Sequence, residues 1–230
     1  MIERVLHPYQ LQKALEHVIA NKGSAGIDGT STRDIRKVFT TGKLQLMEQI
    51  KTGRYQVQPI LGIKIPKGNG KTRLLGIPTT TERVLQQAVA QNLAPLFEPE
   101  FKPNSFGFRP NKNARQAVGQ AREYIHQGLN HIVDTDLKNF FDEVDHCLLL
   151  NLVYQKVKCK TTMQLLRKWL RAPIKINGKL QKRRNALHSR IQKNKYKHVS
   201  KRRTTGKPFK SAFVQYSTPP IGQRIDKKRT

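Results

Sequence analysis

His131-Ile132-Val133-Asp134-Thr135-Asp136-Leu137-Lys138-Asn139-Phe140-Phe141-Asp142 is the stretch whose reading decides the fold. A short apolar run ends in two acids spaced i, i+2, then passes into paired aromatics and a third acid. Ile132 and Val133 predict a buried strand, with a turn to follow. Residues i and i+2 of a strand share a face, so Asp134 and Asp136 are expected side by side at the mouth of a sheet. Mg²⁺ takes hard oxygen donors and needs only one or two protein carboxylates besides phosphate oxygens. A second reading stays open: one acid caps the next helix and the others are solvated.

Working outward, the charge comes next. The formal charge of the 230 residues is +29, and the sequence pI is about 10.6. Such an excess points to a polyanionic partner, nucleic acid first and an anionic membrane surface second. No run of 18 apolar residues exists to span a bilayer, and Met1-Ile2-Glu3-Arg4 lacks the apolar core of a secretory signal. Cys147 and Cys159 have no metal-ligand spacing and cannot make a disulfide framework, which fits a reducing cytoplasm. The seven histidines show no zinc spacing either. From Asn185 onward 13 Lys/Arg stand against one acid, Asp226. Periodicity fades there, so residues 185–230 read as a basic irregular tail. The body before it is still strongly basic.

Helices are expected over 8–21, 32–38, 44–51, 81–96 and 113–126, the last with Ala114, Ala117, Val118, Ala121 and Ile125 inward. Asp145 caps a helix through about Val157. Another begins at Thr161 or Thr162 and ends before Pro173. Residues 60–77 read as a β-hairpin turning at Lys67-Gly68-Asn69-Gly70-Lys71, and Asn177-Gly178 marks a second. Lys64, Lys67, Lys71 and Arg73 gather on the first hairpin, either as a phosphate-binding surface or as a solvated basic edge. Gly70-Lys71-Thr72 is not a P-loop ending, because the glycine required five residues earlier is Ile65. Ser105-Phe106-Gly107-Phe108-Arg109-Pro110 is a loop that either stacks on a base and pairs a phosphate or anchors a core corner. Lys22-Gly23-Ser24-Ala25-Gly26-Ile27-Asp28-Gly29-Thr30 reads as a structured loop.

Taken together and in order, these motifs resemble the N-terminal half of the reverse transcriptase encoded by bacterial group II introns, over residues 23–184. Gly26-Ile27-Asp28-Gly29 is similar to that family's N-terminal loop motif. Ile65 to Arg73, with Leu75-Gly76-Ile77-Pro78 and Glu82 to Gln87, is similar to its fingers hairpin and the block after it. Ser105 to Pro110 is similar to the next motif, and Asp136 to Asp142 to the first palm motif. The resemblance implies an α/β fold of right-hand polymerase fingers and a partial palm, an antiparallel sheet with packed helices. Its expected divisions are residues 1–115 (N-terminal extension and fingers), 116–184 (partial palm) and the 185–230 tail.

It also implies roles. Asp136 would be the first catalytic aspartate and a Mg²⁺ ligand. Lys67, Lys71 and Arg73 would hold the triphosphate of a dNTP. Phe141 would lie under its sugar and leave no room for a 2′-hydroxyl. Asp28 and Arg109 would serve template and primer placement. The implied partners are intron RNA as template and a DNA primer. The departures matter as much. No Tyr-x-Asp-Asp occurs in the 230 residues, nor Pro-Gln-Gly-Ser-Pro after Asn177-Gly178, and the resemblance ends near Arg184. The expectation is therefore a truncated or frame-disrupted chain, inactive alone, with a second polypeptide able to complete the palm. The alternative is a basic intron-RNA-binding remnant that does no chemistry.

Overall fold

The computed structural model describes residues 1–67, 70–129, 131–136 and 144–182. They fall into two compact units. The first is built from residues 1–96 and 144–182, and the second from 97–129 and 131–136.

The first unit is organised on an apolar core that begins at the N-terminus. Helix α1 (Ile2–Val5) leads into α2 (Pro8–Ala20), where Pro8 fits the first turn and the His7 ring nitrogen accepts from the Tyr9 amide at 3.3 Å. Leu11, Ala14, Leu15 and Val18 form one helical stripe and are buried. They share a core with Val84, Leu85, Ala88 and Val89 of α4 (Thr80–Phe97). Each fully buried leucine of this kind stabilises by roughly 1.5–3 kcal/mol.

Helix α3 spans Ile35–Lys51 without a break, although the sequence predicts two helices there. Gly42 lies inside it and costs about 1 kcal/mol relative to alanine. Ile35 and Phe39 on one side of that glycine and Ile50 on the other are all buried in the same core. Their burial outweighs the glycine, so one helix forms.

The hairpin forms as expected, with β1 (Ile60–Lys67) antiparallel to β2 (Lys71–Ile77). Helices α6 (His146–Val157) and α7 (Lys160–Leu170) precede β3 (Ile174–Ile176) and β4 (Lys179–Gln181). Asn177 and Gly178, both with positive φ, make the second tight turn. The strand order is β2-β1-β3-β4. The expected sheet with packed helices is present, antiparallel except that β1 and β3 pair in parallel. The long chain between them supplies the crossover that a parallel pair needs, and the Ile60 amide donates to the Pro173 carbonyl at 2.8 Å to set the register. A Cβ at Gly62 would stand 2.7 Å from Ile176 Cγ1 and 3.0 Å from Ile174 Cγ1. The bare backbone at 62 therefore lets the β3 isoleucines lie against β1.

Asp145 caps α6, its Oδ1 accepting from the amides of Cys147 (2.8 Å) and Leu148 (3.0 Å). Of α6 only Val157 is buried, while Thr162, Met163 and Leu165 of α7 face the core.

In the second unit α5 (Ala114–His126) starts with a capping box. Asn113 accepts from the Gln116 amide at 3.0 Å, and Gln116 accepts from the Asn113 amide at 2.8 Å. The expected inward stripe is not buried, and Val118 and Ile125 are exposed. Nor do Ile132 and Val133 form a buried strand. Residues 131–136 are exposed and unpaired, and a strand exists only through its ladder, for which no described segment serves as partner. The predicted tail over 185–230 lies outside the described residues.

Candidate active site

Two features of the first unit position the predicted nucleotide-binding residues. The hairpin ladder pairs Lys67 with Lys71, Ile65 with Arg73, and Lys64 with Leu74. Alternation puts Lys71 and Arg73 on one face of β2 and assigns Lys64 to the opposite face of the ribbon. Lys71 and Arg73 are exposed, and neither side chain has a carboxylate or hydrogen-bond partner among the described residues. The root of the same ribbon is apolar, with Ile77 buried. The hairpin is thus anchored at one end and cationic at the other.

The anchor is a buried carboxylate that the sequence offers only as an acid in a helix's first turn. Glu82 of α4 is 2% exposed. Its Oε1 accepts from the Tyr55 hydroxyl (2.6 Å) and the Gln58 amide (3.1 Å), and its Oε2 accepts from Trp169 Nε1 (2.6 Å). Burial pushes the Glu82 carboxyl above the ordinary carboxylate range, against the pull of these three donors. Burial also raises the Tyr55 phenol, with the Glu82 charge adding to it. Next to Trp169, Lys168 Nζ donates to the carbonyls of Gly53 (2.7 Å) and Tyr55 (2.5 Å). Residues 53–58, just before β1, are held by Lys168 of α7 and by Glu82 of α4.

Asp28 belongs to a loop latched onto the start of α4. Arg83 Nη2 donates to the Ser24 carbonyl at 2.6 Å, and the Thr80 hydroxyl donates to the Thr30 carbonyl at 2.6 Å. Gly26 presses on the chain before α4, since a Cβ there would stand 2.6 Å from Thr79 Cα. Asp28 itself is exposed and accepts from the Thr30 amide at 3.3 Å. Burial lowers the Arg83 guanidinium and the charge of Asp28 raises it. Arg83 Nε is buried without a partner among the described residues.

In the second unit Arg109 holds a corner together. Its Nε and Nη2 donate to Glu98 Oε1 at 3.0 and 2.7 Å, and its Nη1 donates to the carbonyls of Lys102 (2.8 Å) and Ser105 (2.9 Å). The guanidinium also lies over the Phe101 ring, 5.2 Å from its centroid. Lys112 covers Phe106 in the same way. Phe108 is left half exposed, at φ 56°. Of the two readings of the loop, the corner anchor describes Arg109.

Asp134 and Asp136 are exposed, with no hydrogen bond or ion pair among the described residues. No group of three or more His, Cys, Asp or Glu that could hold a metal occurs among the described residues. Two unpaired carboxylates still fit the sparse Mg²⁺ site in which phosphate and water complete the shell. Phe141 lies outside the described residues, as does the Lys67 side chain. Lys67, Lys71, Arg73 and Asp28 belong to the first unit, and Arg109 and Asp136 to the second.

Comparison with known proteins gives this arrangement a family. The model for reverse transcriptase (RNA-dependent DNA polymerase) matches residues 65–202. The chain is 34% identical over 176 residues to the group II intron-encoded protein LtrA of Lactococcus lactis subsp. cremoris, covering 73% of this chain and 28% of that protein. It is 28% identical over 178 residues to protein YkfC of Escherichia coli strain K12, covering 75% and 47%. It thus spans less than half the length of these curated relatives. Among solved structures, a partial Cas6-RT-Cas1–Cas2 complex superposes with a TM-score of 0.50 at 21% identity, over 78% of this chain and 29% of that one. That likeness concerns the fold alone. The chain belongs to the reverse transcriptase (RNA-dependent DNA polymerase) family and is homologous to the group II intron-encoded members.

Proposed function

We propose that the chain supplies the nucleotide-binding fingers and the first palm aspartate of an RNA-directed DNA polymerase of the group II intron type. The observation that carries this is the hairpin, anchored at its root by the Glu82 cluster and presenting Lys71 and Arg73 without hydrogen-bond or ion-pair partners among the described residues. In this reading Lys67, Lys71 and Arg73 hold the dNTP triphosphate, and Arg73 offers the forked donor geometry that suits phosphate oxygens. Asp136, with Asp134 beside it in sequence, holds Mg²⁺. When bound, the ion polarises the phosphoryl oxygens as a Lewis acid. Phe141 excludes a 2′-hydroxyl beneath the sugar, a role taken from resemblance alone. Asp28 works through its latched loop, and Arg109 through Phe108, to position RNA template and DNA primer. The working division is residues 1–115 for extension and fingers, 116–184 for palm, and a basic tail beyond.

These 230 residues contain no Tyr-x-Asp-Asp. The described part has only Asp134 and Asp136 where clustered acids are needed to offset two mutually repelling dications. These 230 residues alone are therefore expected to be inactive. Primer extension on an RNA template with Mg²⁺ tests this beside an Asp136→Ala control. No extension by either protein is expected. Robust extension that the control abolishes would show a complete site and overturn the claim of inactivity. A second reading, a non-catalytic grip on intron RNA, is favoured by the charge of +29. It is separated by RNA binding that survives Asp136→Ala and weakens steeply with salt. No described helix is long and apolar enough to cross a membrane.

A further inference from the structure

We propose that the cleft between α6 and α7 is a phosphate-binding site built from residues that the polymerase reading does not use. It has a volume of about 200 Å³ and is lined by His146, Cys147, Leu150 and Asn151 from α6 and by Arg167, Leu170 and Arg171 from the end of α7. On α6 the lining residues form the i, i+4 pairs 146/150 and 147/151, and at the end of α7 Leu170 and Arg171 follow Arg167 at i+3 and i+4, so neighbouring side chains form each wall. Leu150 and Leu170 contribute the apolar part. The volume is below the roughly 300 Å³ and upward of sites that take whole small molecules, and it suits a single phosphate group with its ester linkage.

The two arginines of the cleft have no counter-charge among the described residues. Arg167 and Arg171 are exposed, and neither guanidinium has a carboxylate or hydrogen-bond partner among the described residues. Lys168 between them is committed to the Gly53 and Tyr55 carbonyls. Asp145, the acid beside His146, is engaged by the Cys147 and Leu148 amides. Like charges at i, i+4 repel, and a phosphate between the two forks turns that repulsion into attraction with matched geometry. Basic residues in a last turn also complement the helix dipole. That explains a cation at 167 or 171, but not two forks lining one cleft together with Asn151.

The phosphate has two possible sources, a phosphodiester of RNA or inorganic phosphate. The test measures binding of the full chain to a labelled short single-stranded RNA across a salt series, and separately to inorganic phosphate by calorimetry. Arg167→Ala/Arg171→Ala removes the forks. Asn151→Trp plugs the cleft without changing its charge. Arg33→Ala/Lys37→Ala removes two exposed cations elsewhere. All five positions are exposed, so urea midpoints should hold and loss of fold is scored separately. If RNA is the source, both cleft variants weaken RNA binding about tenfold, and the double arginine variant lowers the salt slope by about 1–2. The surface control changes much less. If inorganic phosphate is the source, the cleft variants abolish its binding and leave RNA affinity unchanged. Cleft variants indistinguishable from the surface control for both ligands would overturn the site.

Discussion

At the scale of single residues, Glu82 is the side chain on which most depends. Three donors from two other segments converge on its carboxylate, and removing it leaves the buried Tyr55 hydroxyl and the part-buried Gln58 amide and Trp169 indole without this partner. Glu82→Ala is expected to cost about 3–5 kcal/mol, read as a fall in the urea midpoint. A variant as stable as the wild type would show that the cluster does not anchor the hairpin root. The pH dependence has a definite sign. Burial raises the folded-state pKa of Glu82, so its contribution is fully present below the ordinary glutamate pKa and declines as pH rises through the raised value. The stability difference between wild type and Glu82→Gln should therefore move against the wild type from acid to neutral pH. Movement the other way would mean that the three donors win over burial. Arg109 makes a similar case in the second unit. Arg109→Ala should speed amide exchange across residues 102–110, and Arg109→Lys should not restore protection, because an ammonium cannot replace the fork and the stacking on Phe101. Rescue by lysine would reduce the corner to simple charge pairing. The Glu82 role was not legible beforehand, and the corner anchor was one of two uses the sequence left open for the Arg109 loop. A first-turn glutamate and an arginine in an aromatic loop have several common uses, and only the fold decides among them.

At the scale of elements, periodicity and turn chemistry carried far. The hairpin over 60–77, the Asn177-Gly178 turn, the Asp145 cap and the helices around 8–20 and 80–97 all follow from local rules. Local rules failed where a distant contact decides. Gly42 looks like a break until Ile35, Phe39 and Ile50 are seen to enter one core. The apolar pair Ile132-Val133 looks like a strand, but no described neighbour completes its ladder. Parallel pairing of β1 with β3 depends on segments more than a hundred residues apart, which no short-range pattern reports. It depends on Gly62 as well. Gly62→Val should destabilise the first unit by about 1–3 kcal/mol through crowding against Ile174 and Ile176. Thermal unfolding checks this, and an unchanged midpoint would mean that β3 can shift off β1 at little cost.

At the scale of the whole molecule, charge and family point the same way. A chain of +29 in the reverse transcriptase family is expected to hold polynucleotides through phosphate contacts, with affinity falling steeply as salt rises. Its span of 28% of LtrA and 47% of YkfC leaves most of such a protein's length unrepresented here. Nucleotide binding is therefore a more direct readout than polymerisation. The decisive measurement is Mg²⁺-dependent binding of a dNTP to the full chain, compared with Lys71→Ala/Arg73→Ala. Both side chains are exposed and have no hydrogen-bond or ion-pair partner among the described residues, so this variant should fold as the wild type does. Saturable binding by the wild type, weakened at least about tenfold in the variant, is the expected result. Equal affinity in the two proteins, at matched urea midpoints, would contradict the assignment of the hairpin as the triphosphate site.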